Sequence, residues 1–339
     1  MRLGMRSTLI VGKMLSSAYP GIRVLETGNT TRYFPRSYLK ETKAVTEDLV
    51  TSEPKAILFY FGSNLNLPIV LLYSLLSLIK GKKRGFLFLK MDSDGAFICG
   101  KKSVMKFMLL SSFIFSTLFY DRILIESTCG KNRLEKIAID PSRIIVMENG
   151  VPAYSSDVQR INRNKNLNLL SVSRVVPEKG IEYLIKAFYL VKDEHPRWNL
   201  VLARPIEDSS YHRSLERYIL DLGIKDHVTF TDELSERDLE SLYITSGIFC
   251  SLTSKEGFSI SRLEALRRGL PTIVSKAGCG EDLEKYGAIS VDIENMEETR
   301  NTLNKVMKAV EDSSYELKSA LAVPEWNEIC SKILKLTGD

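Results

Sequence analysis

Residues 167–191 read LNLLSVSRVVPEKGIEYLIKAFYLV and contain the clearest signal of secondary structure in the chain. Leu167 to Ser173 is short and mostly apolar, as expected of a buried strand. Apolar residues recur every three or four positions from Gly180 to Val191, which predicts an amphipathic helix. A strand that leads into a helix through a short loop is the repeating unit of parallel α/β sheets.

The same alternation continues towards the C-terminus as far as residue 275. The predicted strands are Asn199 to Ala203, His227 to Phe230, Ile248 to Leu252 and Thr272 to Ser275. The predicted helices are Tyr211 to Leu222, one starting at Ser235, and Ser259 to Arg268. This order predicts a parallel sheet with helices on both faces, with ligands bound beyond the carboxyl ends of its strands.

The first half of the chain shows a weaker form of the pattern. Its predicted strands are Thr8 to Val11, Ala56 to Phe61, Phe86 to Lys90, Arg122 to Glu126 and Arg143 to Met147. Its predicted helices are Ser37 to Val50, Pro68 to Ile79, Val104 to Phe119 and Asn132 to Ala138. A length of 339 residues suits two domains, and the polar stretch Pro152 to Asn166 predicts the boundary between them.

Composition narrows the class of protein. With 44% apolar and 26% charged residues the chain is globular, and its net charge of +5 is too small to predict a nucleic-acid-binding surface. The five cysteines form no CxxC pair, which favours reduced thiols in the cytoplasm over a zinc site. Cys250 lies in an apolar run and is predicted to be core. No signal peptide is evident, and no segment reaches the roughly 20 apolar residues of a spanning helix.

Two cations border the first strand-to-helix loop. Arg174 and Lys179 lie between the strand and the helix start at Gly180. Free N–H groups and the partial positive charge of a helix N-terminus attract anions, so two added cations predict a diphosphate site. The alternative is a solvated loop with ordinary surface charges.

A second strand-to-helix loop carries two acids. Glu256 lies in the loop beside Gly257, and Glu264 lies more than one turn into the following helix. The backbone amides predicted to face an anion are those of Phe258, Ser259 and Ile260. A carboxylate as deep as Glu264 suits ribose hydroxyls better than phosphate. Two glutamates eight residues apart are also compatible with chance.

Taken together, these motifs resemble family 4 of the glycosyltransferases, the "group 1" family with the two-domain B-type fold. The resemblance extends over about Ile123 to Ile333. Its motifs are Glu-Asn-Gly-Val-Pro (Glu148 to Pro152), Ser-Arg-x4-Lys-Gly (Ser173 to Gly180), E-x7-E (Glu256 to Glu264) and Arg-Gly-Leu-Pro-Thr (Arg268 to Thr272). The implied fold is α/β, with two doubly wound Rossmann-like domains whose parallel sheets face each other across a cleft.

The resemblance also implies a role for each part of the chain. Residues 1–155 would bind the acceptor, residues 165–318 would bind the nucleotide sugar, and residues 319–339 would pack a helix back towards the N-terminal domain. Arg174 and Lys179 would bind the donor diphosphate. Glu256 would support the transferred sugar, and Glu264 would bind the ribose. Transfer would retain the anomeric configuration, with no metal and no cofactor beyond the donor.

Four features depart from the family pattern, and one of them is Gly278-Cys279-Gly280, which stands where a glycine pair often occurs. Ser259 replaces a common glycine, and its hydroxyl is expected to donate to phosphate or to cap the helix. Arg262 replaces a small or apolar residue and is expected to add a cation near the donor. The glycine-rich loop usual after the first strand is missing, since Gly12 and Gly21 match it poorly.

An Asp-Ser-Asp-Gly sequence, Asp92 to Gly95, follows the predicted strand Phe86 to Lys90. A turn is one interpretation, and the manganese motif of A-type glycosyltransferases is another. The resemblance implies a third, since family members often carry a polar residue facing the acceptor here: Asp92, or else Asp94, would orient the acceptor hydroxyl or accept its proton.

Two apolar runs, Leu65 to Ile79 and Phe107 to Tyr120, have lysines next to them. They predict either buried helices or a peripheral membrane face, whose lysines would meet anionic headgroups. Because they lie in the expected acceptor domain, we favour a lipid-linked acceptor.

The sequence thus predicts a retaining glycosyltransferase that moves a sugar from a nucleoside-diphosphate sugar to a hydroxyl of a lipid-linked or cell-envelope glycan. It is expected in the cytoplasm, including the cytoplasmic membrane face. One alternative is a nucleotide-sugar epimerase or an oxidoreductase, although no GxGxxG follows a predicted strand. Another is a membrane-associated binding module without catalysis.

Overall fold

The computed structural model describes ten segments of the chain. They are residues 7–11, 23–27, 36–60, 63–91, 104–152, 166–203, 205–231, 233–256, 258–316 and 323–338. The protein divides into two compact units, residues 1–148 with 327–339, and residues 149–326. Residues 153–165, most of the predicted boundary stretch, lie outside the described segments.

The N-terminal unit contains a six-stranded sheet. In chain order its strands are β1 (Ser7–Val11), β2 (Arg23–Thr27), β3 (Ala56–Tyr60), β4 (Phe86–Met91), β5 (Arg122–Ile125) and β6 (Ile144–Val146). Its described helices are α1 (Arg36–Ser52), α2 (Ser63–Ile79), α3 (Val104–Thr117) and α4 (Thr128–Leu134). The spatial order of the strands is β2-β1-β3-β4-β5-β6.

Strands β3 to β6 are parallel, as predicted, but β1 is antiparallel to both β2 and β3. The sequence did not predict β2. A parallel pair needs a crossover of a dozen or more residues, and only residues 12–22 join β1 to β2. The antiparallel pairing of β1 is therefore consistent with the sequence, which lacks the glycine-rich loop that usually follows the first strand in the family.

Helix α4 begins four residues earlier than predicted. The hydroxyl of Ser127 accepts a hydrogen bond of 3.1 Å from the backbone N–H of Gly130, which caps the helix N-terminus. The cap fixes the start at Thr128, and the helix ends at Leu134 instead of Ala138.

The C-terminal unit also contains a six-stranded sheet, and this one is parallel throughout. Its strands are β7 (Asn166–Val172), β8 (Asn199–Ala203), β9 (Val228–Phe230), β10 (Ser246–Ser251), β11 (Thr272–Ser275) and β12 (Ile289–Val291). Its helices are α5 (Ile181–Lys192), α6 (Ser209–Asp221), α7 (Glu236–Thr245), α8 (Ile260–Arg267) and α9 (Met296–Glu311), and the chain then enters α10 (Trp326–Lys335). The predicted elements are confirmed here, while β12 and α9 were not predicted.

Strand order places the switch point of this sheet between β7 and β10. The order is β12-β11-β10-β7-β8-β9, so the chain proceeds outwards from β7 in one direction and from β10 in the other. The loops after β7 and β10 therefore emerge side by side at the carboxyl edge. Ligands of open α/β sheets bind in this crevice.

Both faces of the second sheet are covered, which explains its apolar strands. Successive residues Leu169 and Leu170 of β7 belong to different hydrophobic clusters because neighbouring side chains point to opposite faces. Cys250 of β10 is 1% exposed, so the prediction that it is core is confirmed. Burial raises the pKa of its thiol to about 12.

The Glu-Asn-Gly-Val-Pro segment runs along residues 323–326. Val151 donates a backbone hydrogen bond to the carbonyl of Pro324, and its own carbonyl accepts one from Trp326. A Cβ at Gly150 would lie 2.5 Å from the Trp326 nitrogen, so only glycine allows this approach. The motif therefore has a structural role.

None of the described helices has the length and apolarity needed to cross a bilayer.

Candidate active site

The two loops at the switch point are hydrogen-bonded to each other. The carbonyl of Glu178, in the β7–α5 loop, accepts hydrogen bonds from the hydroxyls of Thr253 and Ser254 at 2.8 and 3.1 Å. It also accepts one from the backbone N–H of Lys255 at 3.2 Å. These bonds hold the β10–α8 loop against the β7–α5 loop.

Gly180 allows the close approach of the two loops. Its φ of +57° lies in the left-handed region, and a Cβ at this position would be 2.6 Å from the carbonyl oxygen of Leu252. Any larger residue would meet both the backbone strain and the steric overlap. The local backbone geometry therefore explains why the motif has glycine at position 180, directly after Lys179.

Lys179 and Glu256 are brought into direct contact. The Lys179 Nζ donates to Glu256 Oε2 at 2.6 Å, and the two side chains are only 16% and 13% exposed. Charge-assisted hydrogen bonds of this kind are short and strong. The structure thus places one cation and one carboxylate together at the carboxyl edge of the sheet, on the two adjacent loops.

The Glu264 carboxylate lies within hydrogen-bonding distance of the hydroxyl of Tyr243, a residue of α7. The buried Tyr243 hydroxyl lies 3.1 Å from Glu264 Oε2 and 3.3 Å from the carbonyl of Ser261, and its one proton can be donated to either. The Arg268 guanidinium lies over the Tyr243 ring at 4.5 Å. Sequence reasoning missed Tyr243, since nothing in its local pattern distinguishes it from a core tyrosine.

Arg174 does not contact this pair. Its guanidinium binds Glu207 Oε2 at 2.9 Å, and the two side chains are 57% and 46% exposed. Exposed pairs of this kind are weak. Glu207, from the loop after β8, was also not predicted. Of the predicted cations, only Lys179 is joined to a predicted acid in the described structure.

The start of α8 differs in detail from the prediction. Ser259 is the N-cap residue but makes no side-chain capping bond, and its hydroxyl instead lies 2.9 Å from that of Ser261. The Phe258 side chain is buried in a hydrophobic cluster, and Ile260 opens the helix as an exposed residue. Gly257 lies outside the described residues.

Arg262, the cation that was expected near the donor, is buried, and its place relative to a donor stays a prediction. It is 0% exposed, and its side chain turns inwards to the ends of two strands. Nε and Nη2 donate to the hydroxyl and carbonyl of Ser251, and Nη2 also donates to the hydroxyl of Ser275. Burial lowers the pKa of the guanidinium.

The acceptor-side residues Asp92 and Asp94 lie outside the described residues, and their roles stay predictions. Near them in sequence is a buried ion pair that was not predicted. Lys90 Nζ donates to Glu126 Oε1 at 2.9 Å, at the carboxyl ends of β4 and β5. Within the described segments, no three His, Cys, Asp or Glu side chains are grouped as metal ligands would be.

Comparison with known proteins identifies the region that carries this site. Residues 155–318 match the family described as glycosyl transferases group 1. This match confirms the resemblance that the motifs predicted.

Curated relatives match at a low but consistent level. The chain is 29% identical to the glycosyltransferase YqgM of Bacillus subtilis over 192 residues, which are 56% of this chain and 52% of that protein. It is 28% identical over 160 residues to the GDP-mannose:cellobiosyl-diphosphopolyprenol alpha-mannosyltransferase of Xanthomonas campestris, covering 47% of this chain and 41% of the relative. The chain thus spans about half or less of these relatives' length.

Solved structures confirm the fold over most of the chain. HepE of Anabaena, solved in complex with UDP, superposes with a TM-score of 0.64 at 17% identity. The superposition covers 88% of this chain and 82% of that one. The fold is that of the B-type glycosyltransferases, as predicted.

Proposed function

We propose that the protein is a retaining glycosyltransferase that moves a hexosyl or related group from a nucleoside-diphosphate sugar to a hydroxyl acceptor. The observation that carries the proposal is the Lys179–Glu256 contact. It joins the two loops of the switch point, within the region that matches the group 1 glycosyl transferases. The epimerase alternative does not explain why this cation and this carboxylate meet at the edge of the sheet where the diphosphate is expected to bind.

The pair suits the charges that develop during transfer. As the sugar leaves, the nucleoside diphosphate gains negative charge, which Lys179 and the amides at the start of α8 would stabilise. The sugar becomes oxocarbenium-like, and the carboxylate of Glu256 would support its positive charge. Glu264, held by Tyr243, would accept hydrogen bonds from the ribose.

We propose that cations of the chain neutralise the diphosphate and that no metal is needed. Lys179 is one of them. Arg174 is the other, because its exposed pair with Glu207 is weak enough to exchange for phosphate oxygens. Turnover that is unchanged by excess EDTA supports this proposal, and turnover restored only by Mn²⁺ or Mg²⁺ contradicts it.

A panel of nucleotide sugars tests the proposed function. The correct donor binds the folded state and raises the unfolding temperature. It should then release nucleoside diphosphate in the presence of a polyprenyl-diphosphate-linked glycan, with the anomeric configuration of the donor kept in the product. Stabilisation without transfer to any acceptor indicates a binding module, and a donor altered without an acceptor indicates an epimerase.

The acceptor proposal rests on exposed apolar side chains of two helices. Helices α2 and α3 contact each other. The exposed apolar residues on α2 are Leu71, Leu75, Leu78 and Ile79, and those on or next to α3 are Phe107, Met108, Leu109, Phe115 and Leu118. Leu78 is 78% exposed and Phe107 72%, so these side chains are not core.

We propose that these exposed apolar side chains of α2 and α3 contact the surface of a membrane and bring the enzyme to a lipid-linked acceptor. Lys80 and Lys83 follow α2 and are exposed, which suits anionic headgroups. The Xanthomonas relative acts, by its name, on a diphosphopolyprenol-linked sugar. In the described segments Cys129, Cys250, Cys279 and Cys330 are free thiols, which supports the cytoplasmic face.

Vesicle flotation tests the membrane contact. The protein should float with phosphatidylglycerol-containing vesicles and less with pure phosphatidylcholine. The double variant Leu78→Ser/Phe107→Ser should weaken binding about tenfold or more, since each buried apolar side chain contributes about 1.5–3 kcal/mol. Leu220→Ser is the matched control, because Leu220 is an exposed leucine of the other unit. Equal flotation of all variants, or none with the wild type, contradicts the proposal.

A further inference from the structure

Arg262 is a charged side chain in a place where charge is costly. It is completely buried, in the first turn of α8. Nε and Nη2 are hydrogen-bonded, whereas Nη1 is buried and has no hydrogen-bond partner among the described residues. An unpaired buried charge destabilises a protein strongly, so this guanidinium needs nearby negative charge.

The hydrogen bonds of Arg262 connect two strand ends. Ser251 is the last residue of β10, and Ser275 is the last residue of the adjacent β11. The side chain therefore spans the carboxyl edge of the sheet at these strands. It fixes the points from which two loops depart, one beginning at Leu252 and the other at Lys276.

The second of these loops packs directly on Glu256. Gly278 has a φ of +65°, and a Cβ there would lie 2.4 Å from Glu256 Cβ and 2.6 Å from its carbonyl oxygen. The position of the Glu256 backbone thus depends on the spacing of the two loops. Arg262 determines that spacing, because it is hydrogen-bonded to the strand-end residues Ser251 and Ser275 that precede the two loops.

Charge links the two residues as well. Burial lowers the pKa of the Arg262 guanidinium, and the negative charge of Glu256 opposes that shift. Glu256 has a second cationic neighbour in Lys179. If Lys179 turns to a donor diphosphate, Arg262 is the cation that stays beside Glu256.

We propose that Arg262 is a positioning residue for Glu256, which holds the two loops around this carboxylate and supplies a permanent positive charge beneath it. This inference rests on the proposed function of Glu256 in transfer. It adds a residue that touches neither donor nor acceptor.

Kinetics with the donor found in the panel test the positioning role. Arg262→Leu should lower kcat about tenfold or more while the donor KM changes less than about threefold, because the diphosphate and ribose contacts remain. Arg262→Lys keeps the charge and should restore part of kcat. Arg267→Leu is the matched control, since Arg267 lies in the same helix but pairs with Glu325. A kcat of Arg262→Leu equal to that of the control overturns the proposal.

A double-mutant cycle tests the coupling without any turnover, so it remains informative if no donor is found. Glu256→Gln should lower the unfolding temperature of the wild type about 3 °C more than that of Arg262→Leu, because only the wild type then keeps an uncompensated buried guanidinium. The same cycle with Arg267→Leu should be additive. Additive effects in both cycles overturn the proposed coupling, whatever the activity.

Discussion

At the scale of single residues, the proposed chemistry assigns different roles to Lys179 and Glu256. In the structure they bind each other, and both are mostly shielded from water. In the proposed reaction Lys179 turns to the donor diphosphate, and the carboxylate stabilises the transferred sugar. The two residues should therefore affect different kinetic constants.

Glu256→Gln should lower kcat about a hundredfold or more and leave the donor KM within about threefold, because the lost interaction forms only in the transition state. Steady-state kinetics with the donor identified by the panel measure this. Glu194→Gln, which removes a carboxylate paired with Arg300 at the surface, is the control. A kcat of Glu256→Gln near that of the wild type would show that Glu256 is not catalytic.

Tyr243→Phe should instead raise the donor KM about three- to tenfold with little change in kcat, because Glu264 loses a partner that orients it towards the ribose. Tyr73→Phe is the control, since its buried hydroxyl accepts a hydrogen bond from the Gly85 N–H in the other unit. Both variants should lose about 1 kcal/mol of stability. An unchanged KM in Tyr243→Phe contradicts the assignment of Glu264 to the ribose.

Sequence reasoning could find Lys179 and Glu256 because each lies in a loop between a predicted strand and a predicted helix. It could not find the contacts that come from other elements. Tyr243 reaches Glu264 from α7, and Glu207 reaches Arg174 from the loop after β8. The inward turn of the Arg262 side chain was also not predictable, because its sequence position gives no sign of it.

At the scale of secondary structure elements, the positions of the two loops depend on Gly180. Gly180→Ala should lower the free energy of unfolding by about 2 kcal/mol or more, from left-handed strain and overlap with the Leu252 carbonyl. Gly223→Ala is the control, because Gly223 has a similar φ of +69° with no atom within 4 Å of the added Cβ.

Chemical denaturation measures both glycine variants. Gly180→Ala should be clearly less stable than Gly223→Ala and should also bind the donor more weakly. If the two variants are equally stable, the close approach of the loops does not contribute as described.

Most elements of the parallel sheets could be predicted because a buried strand followed by an amphipathic helix leaves a clear pattern. Two of the missed elements differ in whether they show this pattern. Strand β2 (Arg23–Thr27) is short and is held by antiparallel pairing that a local pattern does not show. Helix α9 did carry the pattern, because Leu303, Val306 and Met307 recur at helical spacing and are buried. Its start was also marked by Asn295, which accepts a hydrogen bond from the N–H of Glu298 three residues on.

At the scale of the whole molecule, similarity is unevenly distributed. The family match covers residues 155–318, whereas the fold similarity to HepE covers 88% of the chain. The family match thus lies mostly in the C-terminal unit, while the similarity in fold extends over both units. Since function lies in sites and not in folds, the acceptor was the least predictable part.

Whether the donor binds at the Lys179–Glu256 pair can be measured by calorimetry. The nucleoside diphosphate of the stabilising donor is titrated into the wild type, Lys179→Met and Arg300→Met. The wild type and Arg300→Met should bind with equal affinity, because Arg300 pairs with Glu194 away from the two loops. Lys179→Met should bind about tenfold or more weakly, having lost a charge-assisted contact to the diphosphate. Equal affinity of all three proteins would contradict the placement of the donor site at the Lys179–Glu256 pair.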